Sequence, residues 1–92
     1  MKNRNSKKSI ESRIAQITAL AYRVTRQGKH DVFARYSGHV DFFEVRIFVG
    51  GWKAELDETN NFGIWLTTSK NTFKQLSRIR TKLNSLLAEG MR

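Results

Sequence analysis

The spacing of apolar residues changes twice along this chain, and that pattern leaves few folds open. From Ile10 the residues Ile14, Ile17, Ala21 and Val24 recur at intervals of three and four, the period of one helix face. Ser9 stands where a cap belongs and Gly28 where a helix stops, so the spacing predicts a helix from about Ser9 to Gln27. The period then drops to two. Val32, Ala34 and Tyr36 alternate with Phe33 and Arg35, and beyond Ser37-Gly38-His39 the alternation resumes. In the second strand Phe43, Val45, Ile47 and Val49 share one side, and this uniformly aliphatic side is the one expected to be buried. Gly50-Gly51 closes that strand. Trp52 to Asn61 reads either as a long turn or as a short fourth strand near Trp52 to Leu56 with a turn at Asn60-Asn61. Phe62 to Thr67 is the last strand, with Ile64 and Leu66 inward and Trp65 outward. From Phe73 the helical period returns through Leu76, Ile79, Leu83, Leu86 and Leu87, predicting a helix from about Asn71 to Ala88 that Gly90 ends.

Helix, three or four antiparallel strands, helix is an α+β order. With both helices on one face of the sheet every apolar stripe gains a partner, which is a two-layer α-β-β-β-α architecture. Ninety-two residues provide one domain and a modest core. Residues 1–8 are polar and basic with nothing to bury, so they are expected to form a disordered tail ahead of a single domain at 9–90. With no apolar run after that tail, a secretory signal is not expected, and a cytoplasmic location is. No stretch approaches the roughly 18 consecutive apolar residues of a membrane span. The absence of cysteine excludes disulfides, thiolate metal sites and thiol nucleophiles.

Seventeen Lys and Arg against eight Asp and Glu give a formal charge of +9, which favours a polyanionic partner. The charge is concentrated at the two ends. Residues 1–29 hold eight basic residues and one acid, and residues 70–92 hold six and one, whereas 30–69 hold three and six. At about 100° per residue, Lys70, Lys74, Arg78 and Lys82 fall in one stripe away from the apolar face of the last helix. Phosphate is attracted there by side chains, and near the helix start by free N–H groups as well. Lys7 and Lys8 in the basic tail extend the same candidate surface.

Two stretches also carry a family likeness. Ser37-Gly38-His39 followed by Phe43-Glu44-Val45-Arg46-Ile47-Phe48-Val49-Gly50-Gly51, and then Ser69-Lys70-Asn71-Thr72-Phe73-Lys74, resemble the first turn, second strand and last-helix start of the double-stranded-RNA-binding domain. The resemblance implies a helix, three strands and a helix, with His39 as a minor-groove contact and Lys70 and Lys74 as a phosphate clamp. It makes RNA a more natural partner than DNA. The chain departs from the family in lacking the turn proline, in having Asn71 for a lysine, and in having Phe73 where the family has alanine. It is also longer between Gly51 and Ser69.

On the side of the sheet away from the helices, Phe33, Arg35, Phe42, Arg46, Phe48 and Trp65 are expected to project outward. So much aromatic surface points to stacked bases, a protein target or a homodimer, unless residues 52–61 fold over it. The negative charge of the strand region favours protein over bases. In style, a short cysteine-free chain with a basic start, a small sheet ending in Gly63-Ile64-Trp65-Leu66-Thr67 and a closing amphipathic helix is also similar to phage-encoded inhibitors of the anti-CRISPR type. That likeness implies direct binding to a host nuclease or ribonucleoprotein. His30 and His39 have no second ligand at metal spacing and no nucleophile with an orienting acid nearby. Asp57 and Glu58 read as solvated loop acids. No phosphate loop or zinc pattern occurs, so the expectation is a non-enzymatic binding protein without metal or cofactor.

Overall fold

The structure, a computed structural model, describes residues 2–52, 60–67 and 70–90, with side chains described from residue 10 onward. Helix α1 spans Lys2–Arg26, followed by strand β1 (Asp31–Ser37), a single 3-10 turn (Gly38–Val40), β2 (Phe42–Phe48), β3 (Asn60–Trp65) and helix α2 (Thr72–Gly90). The strands form one antiparallel sheet in the order β1-β2-β3. This is the α+β order read from the apolar spacing.

β3 ends at Trp65 where the spacing predicts Thr67, and α2 runs to Gly90 where the spacing predicts Ala88; two starts differ more. Helix α1 begins at Lys2, not at Ser9, so residues 2–8 are helical where a disordered tail is expected. They contain no glycine or proline, and Lys and Arg cost little in a helix, so the hydroxyl of Ser9 is no stop signal by itself. Strand β3 begins at Asn60, and Asn60 and Asn61 pair with Ile47 and Arg46 where a turn is expected. The tertiary ladder overrides the turn preference of the two asparagines. The alternative of a fourth strand near Trp52 to Leu56 lies largely outside the described residues, as does the question of whether that segment covers the sheet.

Both helices lie on the same side of the sheet and run side by side in the same direction. The guanidinium of Arg13 lies over the Phe73 ring, Arg80 donates to Gln16 at 3.4 Å, and Gln27 donates to the Leu87 carbonyl at 3.2 Å. Between the layers Phe43, Val45 and Ile47 of β2 meet Ile17 and Val24 of α1 and Leu76, Ile79 and Leu83 of α2, all essentially inaccessible to water. Each such side chain contributes about 1.5–3 kcal/mol of transfer free energy. Gly28, at φ 84°, adopts the left-handed conformation that lets the chain leave α1 and turn into β1.

Alternation fails at the end of β2. Val49 is exposed although it continues the aliphatic side, because β2 ends at Phe48 and the chain turns at once through Gly50 and Gly51. Phe48 is buried although it faces away from the helices. The Phe33 ring meets it edge-on at 5.4 Å and the Arg46 guanidinium lies 5.5 Å from its centre. It is therefore part of a small satellite core on the outer side of the sheet and not a free interface residue.

On the same side the Phe42 ring packs against Trp65 with centroids 4.5 Å apart and planes tilted by 45°, and lies above Gly63, where an added Cβ would come within 2.7 Å of it. Gly63→Ala is expected to push the Phe42 ring off Trp65 at a cost of about 1 kcal/mol, the scale of mild overpacking. Near-ultraviolet circular dichroism and tryptophan emission report the change, and an unchanged spectrum would place the ring elsewhere.

Candidate nucleic-acid interface

The basic residues of α2 form a slanting surface. Successive i, i+4 steps advance about 40° around a helix, so Lys74, Arg78 and Lys82 drift from the solvent side toward β3. Lys74 and Arg78 are exposed and Lys82 is half-buried. Arg78 also lines a hollow against the edge of β3, with Asn61, Phe62 and Gln75. Lys70 is exposed but lies in the turn before Thr72, so it precedes the helix and does not continue its stripe. Ser77, Thr81 and Ser85 run parallel to the cations and line a shallow hollow with them. Cations alternating with hydroxyl donors suit phosphate oxygens, which accept from both.

Glu89 is the sole acid of α2, at its far end, where its carboxylate lies 3.6 Å from His30. In the sheet region Asp31 accepts the Trp52 N–H at 2.6 Å, Glu44 pairs with Arg35 at 3.1 Å, and Asp41 accepts from two hydroxyls. Among the described residues no ion pair joins these acids to Lys70, Lys74, Arg78 or Lys82.

His39 is exposed in the turn between β1 and β2. Asp41 ties that turn to the approach to α2, because its carbonyl accepts the Leu66 N–H at 2.9 Å and its carboxylate accepts the Thr67 hydroxyl. Lys70 follows three residues later, so His39 and Lys70 belong to the same end of the sheet. Lys7 and Lys8 lie within α1, outside the described side chains. His30 is structural, since its buried Nδ1 accepts the Gly50 N–H at 2.9 Å. Among the described residues no three His, Asp or Glu side chains gather as a metal site.

Asp41 is the residue on which this end depends. It is the one non-glycine residue described with positive φ (φ 51°, ψ 47°), a conformation that aspartate tolerates better than alanine. The Thr67 hydroxyl, and after it that of Tyr36 at 2.6 Å, hold its carboxyl below the usual value of 3.8, and slight burial opposes them. The same bond to Asp41 pushes the Tyr36 phenol above 10.0. A carboxylate whose folded pKa is depressed contributes stability above its unfolded value and loses it as pH falls through the folded one. Asp41→Asn is therefore expected to flatten the fall of stability with pH below about 3.8. Tyr36→Phe is expected to remove part of the same dependence, and acid titrations of both variants by circular dichroism check it. Asp41→Ala is expected to lose about 1–2 kcal/mol at neutral pH through backbone strain.

On the outer sheet face Phe33 and Trp65 are exposed, Phe42 and Arg46 are half-buried, and Arg35 is exposed but paired with Glu44. With Phe48 buried, the candidate patch divides into Phe33 with Arg46 on one side and Phe42 with Trp65 on the other. On the helical face, Arg13, Ser77, Arg80, Thr81 and Ser85 join the candidate set although charge spacing alone does not mark them. The hydroxyls at 77, 81 and 85 share the four-residue spacing of the cations and were legible as a second stripe. Arg13 was not, because its place beside Ser77 (3.5 Å) depends on how α1 docks on α2. No protein-family model, curated protein or solved structure matches this chain.

Proposed function

We propose that the chain is a small non-enzymatic nucleic-acid-binding module that contacts structured RNA, free or within a nucleoprotein, through its helical face. The observation that supports this best is the run of Lys74, Arg78 and Lys82 beside Ser77, Thr81 and Ser85, unopposed by acid among the described residues. Two helices side by side on a three-stranded sheet, with His39 and Lys70 at one end, also fit what the resemblance to the double-stranded-RNA-binding domain implies. That likeness favours RNA over DNA as the partner. The test is binding to a fluorescent RNA duplex at two salt concentrations. Phosphate contacts make affinity fall with salt at a log–log slope of about −0.9 per contact on B-DNA, and somewhat less on single strands. An affinity indifferent to salt, or no binding at low salt, removes this reading.

A second reading is favoured by the exposed rings of Phe33 and Trp65 on the opposite side of the sheet. In it the chain is an accessory protein, similar in style to phage-encoded anti-CRISPR inhibitors, that binds a host nuclease or ribonucleoprotein directly. Affinity purification with and without nuclease treatment separates the two. A single protein partner that survives the nuclease supports the second reading, and RNA of mixed sequence supports the first. A homodimer through the same face is compatible with either, and sedimentation as a monomer at micromolar concentration discards it.

A further inference from the structure

Phe73 occupies a position that neither the core nor the charge ridge explains. Its spacing places it on the apolar stripe of α2, yet the side chain keeps 37% of its surface exposed. It stands where the helical face turns toward α1, with Lys74 next to it in sequence and Ser77 one turn on. The Arg13 guanidinium lies 5.5 Å from the ring centre while donating to Ser77, so a planar cation and an aromatic ring are held together at the seam between the helices. Lys74 and Ser77 are its cationic and hydroxylic neighbours on α2, and that helix carries no acid within three turns of the ring.

Resting on the nucleic-acid reading, we infer that Phe73 with Arg13 is a stacking platform for an unpaired base, so the preferred ligand is RNA with a bulge, loop or single-stranded end next to a helix. A base inside a duplex has both faces covered by its neighbours and cannot use the ring, whereas an unpaired base offers a free face. A base extruded from a strand also carries phosphates on both sides of it, and Lys70 and Lys74 flank Phe73 in sequence to meet them. Charge decides between a base and an apolar protein side chain as the occupant. The ring is exposed beside the cations Arg13, Lys70 and Lys74, and a polyanion bearing aromatic groups satisfies both features.

The experiment compares affinity for a perfect RNA duplex with that for the same duplex carrying a one-nucleotide bulge, in wild type, Phe73→Leu and Phe73→Trp. Stacking on an aromatic side chain is worth about 5- to 150-fold in affinity per base. Wild type is expected to favour the bulged duplex by about tenfold, Phe73→Leu to lose that preference while keeping its affinity for the perfect duplex, and Phe73→Trp to retain it. Leucine maintains the apolar contact with the helix, and thermal melts of each variant confirm folding. Equal affinity of wild type for the two duplexes, or a preference that survives in Phe73→Leu, overturns the inference while leaving the charge ridge intact. Absence of all RNA binding at low salt overturns the underlying reading and the inference with it.

Discussion

Replacing Lys74, Arg78 and Lys82 together by glutamine is expected to weaken binding to duplex RNA by about 100-fold at low salt. In the proposed reading each residue supplies one phosphate contact, and a screened charge-assisted contact is worth about 1 kcal/mol, so three lose about 3 kcal/mol. The salt dependence changes along with the affinity. Losing three contacts reduces the magnitude of the log–log slope by about 2.7 if each contributes about 0.9. Glutamine keeps an unbranched stem of similar helix propensity, so α2 retains its structure and the half-buried stem of Lys82 is partly replaced. Arg35→Gln on the opposite side of the sheet is the control, and its affinity and slope are expected to match wild type. Fluorescence anisotropy at four or five salt concentrations measures both quantities. A triple variant with the wild-type slope would show that phosphates are met elsewhere.

The largest effect on stability is expected at Phe43. Its ring is 1% exposed and joins the middle strand to both helices, where Val45, Ile47, Ile17 and Leu76 belong to the same core. Truncating a buried phenylalanine costs about 3–5 kcal/mol, because the transfer free energy is lost and the cavity only partly collapses. A domain of this size has about 5–15 kcal/mol of stability in total. At about 4–8 °C per kcal/mol, Phe43→Ala is expected to lower Tm by on the order of 20 °C. Val40→Ala, at an exposed position in the neighbouring turn, is expected to change it little. A small shift for Phe43→Ala in a thermal melt would mean that the two layers do not share one core.

The elements of this fold were readable wherever burial was one-sided. The stripe through Leu76, Ile79, Leu83 and Leu86 and the alternation through Phe43, Val45 and Ile47 each specify a period and a face, and the structure buries these residues. Boundaries were harder to read, for reasons visible at particular residues. Ser9 has the chemistry of a cap, but residues 2–8 contain no glycine or proline to break a helix, and α1 passes through it. Asn60 and Asn61 have the chemistry of a turn, yet β2 offers Ile47 and Arg46 as ladder partners and they join β3. Phe48 shows the limit of alternation. Period two assigns a side of the sheet, but a side is not an exposure, and Phe33 and Arg46 fold over that ring.

The candidate site divides in the same way. Lys74, Arg78 and Lys82 were legible because a helix turns regular spacing into a surface. Lys70 shares the spacing but not the helix, since α2 starts at Thr72. The pairing of Arg13 with Phe73 and Ser77 could not be read, because it arises from the parallel docking of two helices sixty residues apart in the chain. Charge bookkeeping by segment likewise could not reveal that Asp31, Asp41 and Glu44 are engaged within the sheet region.

The central claim is that RNA meets the helical side of this molecule, and amide chemical-shift mapping during titration with an RNA duplex tests it most directly. The expected result is that the largest shifts fall at Lys74, Ser77, Arg78, Thr81 and Lys82, with further shifts at Gly38, His39 and Val40, and shrink as salt is raised. Shifts concentrated instead at Phe33, Phe42 and Trp65, with α2 unmoved, would contradict it.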